Sequence, residues 1–143
     1  MQRFRTATPM GDWRSFKFTN ETEETLAEGD LCLINDTCGV LLLNIQYDAD
    51  GCKKDKEIDD GEDGVLVYHI EKIIVDKVTT TGSAFEPGDK VYWSGTNGDP
   101  VTPTHNAQTA PYWIGICVEA ALESDDEVMI DLKGDKISLT EPL

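Results

Sequence analysis

No stretch of this sequence carries an apolar repeat long enough for two turns of helix. Apolar residues come in short bursts, several of them alternating with polar ones, fenced by Gly, Pro, Asn and Asp. That punctuation confines the chain to an all-β fold. The bursts predict strands over Ser15–Thr19, Leu31–Asn35, Val40–Ile45, Val65–Val78, Lys90–Trp93, Pro100–Thr102, Tyr112–Ala121 and Glu127–Lys133. Turns are expected at Glu28–Asp30, Asp36–Gly39, Pro87–Asp89 and Thr96–Asp99, the last around an Asn-Gly pair that favours a tight hairpin. Residues 21–27 have room for one helical turn. So many short strands in one chain suggest a small antiparallel barrel or sandwich.

Two segments carry more detail. Val40-Leu41-Leu42-Leu43 is apolar at every position, which predicts a strand buried on both faces. Val65–Val78 places apolar residues on both parities and breaks at Glu71-Lys72, which predicts an interior strand with a bulge or bend there. Tyr112–Ala121 and Glu127–Lys133 are expected to pair as a hairpin. Ile114, Ile116, Val118 and Ala120 would share its core-facing parity, opposite Val128, Ile130 and Leu132.

At 143 residues the chain suits one domain. Its hydrophobic share of 39% is low, so the core is expected to be thin, with long polar loops or a partner completing it. Residues 1–25 read as an extended arm ending in the first strand. Residues 26–143 read as the β-domain, with a long acidic loop at 47–64. The net charge is −16, which argues against binding nucleic acid or an anionic membrane. The charge is uneven: residues 1–17 are net +3, leaving −19 for the remainder. Arg3, Arg5, Trp13, Arg14 and Phe16 are therefore the candidate partner-binding residues, cations for an acidic surface and rings for an apolar one. No apolar run is long enough to cross a membrane as a helix, and no secretory leader is expected.

Catalytic and cofactor motifs are missing: there is no phosphate loop, dinucleotide fingerprint, nucleophile elbow or zinc-protease helix. No catalytic residue, cofactor or metal site is expected. Asp48-Ala49-Asp50-Gly51 hints at a calcium loop, but its glycine comes too early for that template. His69 and His105 read as ordinary strand and loop residues. Tyr92, Trp93, Tyr112 and Trp113 could stack on bases or sugars, but strands are rich in aromatics and packing is the expected role. Cys32, Cys38, Cys52 and Cys117 fit no zinc spacing. Reduced, packed thiols are expected, with a Cys32–Cys38 disulfide as the alternative.

Gly88-Asp89-Lys90-Val91-Tyr92-Trp93, then Asn97-Gly98-Asp99-Pro100-Val101-Thr102, then Ile114–Ala121 and Asp126–Leu132, occur in the order found in one family. With Ala27–Leu31 and Cys38-Gly39-Val40, they resemble tailed-bacteriophage capsid cement, or head decoration, proteins. The resemblance covers about residues 26–45 and 64–133 and leaves out the arm and the acidic stretch. The lack of a phosphate loop speaks against the recombinase label often attached to that family. What the resemblance implies is a structural, non-enzymatic protein, made in the host cytoplasm and placed on the capsid exterior. There it would bind the major capsid protein as a homo-oligomer, with a trimer favoured, and hold neighbouring subunits against internal pressure. The acidity leaves two rivals: a DNA-mimic inhibitor of a DNA-binding enzyme, and a small β-barrel enzyme.

Overall fold

The computed structural model describes residues 14–42 and 57–134. Nine strands are found among them: β1 (Arg14–Thr19), β2 (Leu26–Ala27), β3 (Leu31–Ile34), β4 (Thr37–Leu42), β5 (Glu57–Ile58), β6 (Asp63–Asp76), β7 (Lys90–Trp93), β8 (Tyr112–Cys117) and β9 (Glu127–Lys133). No helix occurs among the described residues, so the stretch 21–27 that could have made one helical turn instead ends in β2. The acidic stretch expected to be a loop holds β5 and the start of β6 at its end. Its beginning, with the calcium-like segment 48–51, lies outside the described residues, as does Cys52.

The main sheet is antiparallel, in the order β3-β4-β6-β9-β8-β7, with β1 also paired to β6. It curls into a half-barrel. The segment predicted as a strand at Pro100–Thr102 makes only single bridges, yet those bridges join the edge strand β7 to the end of β6. Tyr92 and Thr102 exchange backbone bonds of 2.9 and 3.0 Å. Val101 donates to the Asp76 carbonyl at 2.8 Å and accepts from the Val78 amide at 3.0 Å. Hydrogen bonds thus run from β6 through β9, β8 and β7 back to the end of β6. The free edge of β3 is covered by the Asn-Gly turn: Gly98 N–H donates to the Leu31 carbonyl, and the Asn97 side chain accepts from the Leu33 amide. Capping an edge in this way removes a pairing template for other chains.

Strand β6 organises everything else, because β1 and β4 flank its first half and β9 pairs with its second. It carries two extra residues. One lies at Glu71–Lys72, where Ile70 and Ile73 face Leu132 and Ile130, as the sequence predicts. The other is Tyr68, since Arg14 and Ser15 face His69 and Val67. Each bulge reverses the side-chain parity and bends the strand, so one long strand serves two packing environments.

Those environments are two apolar clusters. The larger lies inside the curl and includes Val40, Val67, Ile70, Ile73, Val75, Trp93, Cys117, Ile130 and Leu132. The smaller lies on the opposite face of β3, β4 and β6. It contains Leu26, Cys32, Ile34, Leu41, Ile58 and Leu66, roofed by the β2–β5 ribbon and by Phe16 and Phe18. The two-faced apolar run is thereby explained: Val40 points into one cluster and Leu41 into the other. Residues 43–45 of that expected strand lie outside the described residues.

The reduced, packed thiols expected of Cys32 and Cys38 are found, and the evenly alternating β8–β9 hairpin is not. Cys32 and Cys38 are free thiols; they belong to different clusters on opposite faces of the sheet, which no disulfide can bridge. In the β8–β9 hairpin the inward parity does not run evenly. Ile114 is the extra residue of a bulge opposite Val91–Tyr92, so Ile114, Gly115 and Cys117 are buried while Ile116 is only half-buried. Ile116 lies between Lys90 and Asp131 in the pairing register. Val118 and Ala120 lie beyond the strand, and Ala120 is exposed.

Candidate functional site

Of the candidate partner-binding residues, Arg14 and Phe16 are placed by β1, while Arg3, Arg5 and Trp13 lie outside the described residues. The alternation Arg-Ser-Phe-Lys-Phe-Thr lets β1 lay Phe16 and Phe18 on the sheet and leave Ser15, Lys17 and Thr19 exposed. Phe16 sits with its ring centroid 5.7 Å from Tyr68 and 6.5 Å from Phe18. Gly64 is required beneath them: a Cβ there would stand 2.8 Å from Ile58 Cδ1 and 3.3 Å from Phe18 Cε1. Phe16 is therefore first a lid on the smaller cluster, and only its half-exposed side is free for a partner. Beside it runs an open groove of about 520 Å³, lined by Phe16–Thr19, Glu21, Thr22 and Leu33–Asn35.

Asn20 anchors β1 to the ribbon, a role that its place in a polar run of Thr, Asn and Glu does not signal. It is wholly buried. Its amide nitrogen donates to the carbonyls of Glu24 (2.8 Å) and Ile58 (3.2 Å), and its side-chain oxygen accepts from Thr22 N and Oγ1. The neighbouring carboxylates also cap backbone: Asp60 accepts from Glu23 N–H, and Glu62 from Asp59 N–H. The loops at this end of β1 carry Glu21, Glu23, Glu24, Glu57, Asp59, Asp60, Glu62 and Asp63.

The other end of β1 is basic. Arg14 lies opposite His69, which lies opposite Lys133, so three adjacent strands bring these side chains into one row. Arg14 is exposed and His69 half-buried. Lys133 is half-exposed, with Asp131 3.8 Å away.

No three His, Cys, Asp or Glu side chains are placed to share a metal ion among the described residues. His105 packs edge-on against Tyr92 at 5.3 Å. Tyr92 and Trp93 are core residues, and the Trp93 indole donates to the Asp99 carbonyl at 3.0 Å. Tyr112 and Trp113 are half-buried, and the Trp113 indole donates to the Gly115 carbonyl. These rings are therefore tethered in or beside the fold rather than arrayed as a stacking platform. Burial, with Asp89 adding to it, raises the Cys117 thiol above its ordinary range, against the lowering effect of its bond to the Glu119 carbonyl. A thiol held protonated is a poor nucleophile.

Lys77 is the least expected feature. It is buried, and its Nζ donates to the carbonyls of Val78 (2.6 Å), Asp125 (2.9 Å), Leu122 (3.0 Å) and Glu123 (3.2 Å) and approaches Ser83 Oγ at 3.4 Å. Desolvation lowers its pKa, while the carboxylates of Asp125, Glu123 and Asp126 oppose that shift. In the sequence Lys77 is one more polar interruption of a strand. Nothing local marks it as an internal ion.

The described residues build a half-barrel with two apolar clusters, and comparison with known proteins finds a family for it. A family model described as phage cement protein matches residues 10–132. The chain belongs to the phage cement protein family. Its role is accordingly that of a structural component of a phage capsid. No curated protein and no solved structure matches it. The family match begins before β1 and ends within β9, so it takes in Trp13, Arg14 and Phe16 as well as the Lys77 cage. Arg3 and Arg5 fall outside it.

Proposed function

We propose that this cement protein binds the outer surface of a phage head, contacts the major capsid protein and ties neighbouring capsid subunits together as a homo-oligomer, with a trimer favoured. The match to the cement family over residues 10–132 carries this reading. Three features support it. The fold is stiffened by backbone bonds joining the edge strand β7 to the end of β6. The aromatic and cationic residues lie together at and before β1. A net charge of −16 disfavours adhesion to released DNA. The DNA-mimic alternative loses ground because Asp60 and Glu62 accept bonds from this chain's own loops.

The test is rebinding of purified protein to undecorated heads at low and high salt. Apolar burial is insensitive to screening, whereas exposed charges are screened over about 8–10 Å near physiological salt. Trp13→Ala is expected to lower occupancy at both salt concentrations, and Arg3→Ala/Arg5→Ala at low salt only. Failure of the wild-type protein to bind heads would overturn the reading. Full occupancy by both variants would remove the N-terminal residues from the contact.

A further inference from the structure

The outer face along β1 is electrically polar. At one end Arg14, His69 and Lys133 form a row across β1, β6 and β9, and Arg3 and Arg5 precede Arg14 in the chain. Asp131 partly offsets Lys133, and the row stays net positive. At the other end lie the eight carboxylates of residues 21–24 and 57–63. Register fixes the separation: Arg14 faces His69 and Thr19 faces Asp63, so the ends stand about 17 Å apart at roughly 3.3 Å per strand residue. Between them are the half-exposed rings of Phe16, Phe18 and Tyr68. Like charges at one end repel and opposite ends attract, so two such faces meet favourably only when one is displaced along the other or turned end for end.

We propose that this face is the contact between copies of the chain, with the Arg14–His69–Lys133 row of one copy set against the Glu21/Glu57 end of the next. A second copy is favoured over another acidic protein because this chain itself carries the complementary end on the same face, alongside the same apolar strip. Within that end, Glu21 and Glu57 are both exposed, whereas Asp59, Asp60, Glu62 and Asp63 accept bonds from Thr25, Glu23, Asp59 and Thr19. A contact joining unlike ends is isologous when the two faces are turned end for end; when one is displaced along the other it is heterologous and closes into a ring if the rotation permits. The proposal names the surface of the homo-oligomer put forward above, but its test needs no capsid.

Sedimentation of the full-length protein over a range of concentration and salt reads the association directly. The wild type is expected to self-associate near physiological salt, where the repulsion between two bodies of net charge −16 is screened while the unlike ends are in contact. Arg14→Glu/Lys133→Glu and Glu21→Lys/Glu57→Lys should each weaken it at least tenfold while keeping the wild-type melting profile. An equimolar mixture of the two reversed variants should associate again, because each supplies the end that the other lost. A wild type that stays monomeric at every salt concentration, assemblies indifferent to both reversals, or a mixture that fails to associate would each overturn the proposal. Self-association by this route with no binding to heads would instead overturn the capsid reading alone.

Discussion

Single buried groups set the conditions under which this fold holds. Lys77 is surrounded by four carbonyls drawn from residues 78 and 122–125. Replacing it by methionine keeps the stem and leaves the carbonyls facing an apolar methyl. Unsatisfied buried acceptors cost about 1–3 kcal/mol, so Lys77→Met should melt several degrees lower. Thermal melts of the variant and the wild type check this. The thiols act through pH. Burial, with the carboxylates of Asp30 and Glu24 adding to it, pushes Cys32 from an ordinary 9.0 up to about 12, and burial raises Cys38 well above its usual range. A raised folded pKa means that the native state holds more protons than the unfolded chain above pH 9. Stability is therefore whole below 9 and falls from there toward 12, by up to about 1.4 kcal/mol per pH unit per thiol. Lys77 works oppositely, its lowered pKa adding stability as the pH rises toward 10.5. Denaturant titrations at pH 8, 9 and 10 should show a shallower alkaline decline in Cys32→Ala than in the wild type. Equal slopes would mean that Cys32 stays accessible to solvent.

At the scale of elements, bulges decide which residues are core. Without the bulge at Ile114, Ile116 would point inward with Ile114. With it, Cys117 takes that place opposite Ile130. Gly115 is needed at the same point, since a Cβ there would collide with the Asp131 backbone of the paired strand. The consequence is a sharp contrast between two isoleucines of one hairpin. Ile130→Asp buries an unpaired charge, costing several kcal/mol, and should give no soluble folded protein. Ile116→Asp, half-exposed and beside Lys90, should stay folded with a loss of about 1–2 kcal/mol. Comparing soluble yield and urea midpoints of the two variants tests the register directly. Two variants equally destabilised would show that Ile116 is core after all.

Across the whole molecule, charge repulsion is the largest force opposing the fold that solution conditions can adjust. With a net −16, the compact state confines repelling carboxylates that the unfolded chain separates. Screening relieves this, so raising NaCl from about 10 to 200 mM should increase the melting temperature by a few degrees, roughly 1 kcal/mol for a domain of this size. The measurement belongs at protein concentrations low enough to keep the chain monomeric, because association would itself shift the melting temperature. An unchanged or lower melting temperature at higher salt would mean that the acidic residues are already matched by local partners.

Local pattern was enough to specify much of this protein. Alternation and Gly, Asn and Asp turns determined the strands β1, β3, β4 and β6 to β9. A polar pair in an apolar run determined the bulge at Glu71–Lys72, and the order of turn-plus-strand motifs pointed to the cement family. These features depend on neighbours along the chain, which is why they are legible there. Only the tertiary structure decided that Cys32 and Cys38 face apart, that Ile116 turns outward, that Asn20 and Lys77 are internal polar anchors, and that Val101–Thr102 joins β7 to the end of β6. The cysteines depend on the register of the β3–β4 hairpin and the others on partners up to dozens of residues distant, and a single extra residue in a strand reverses which side chains meet.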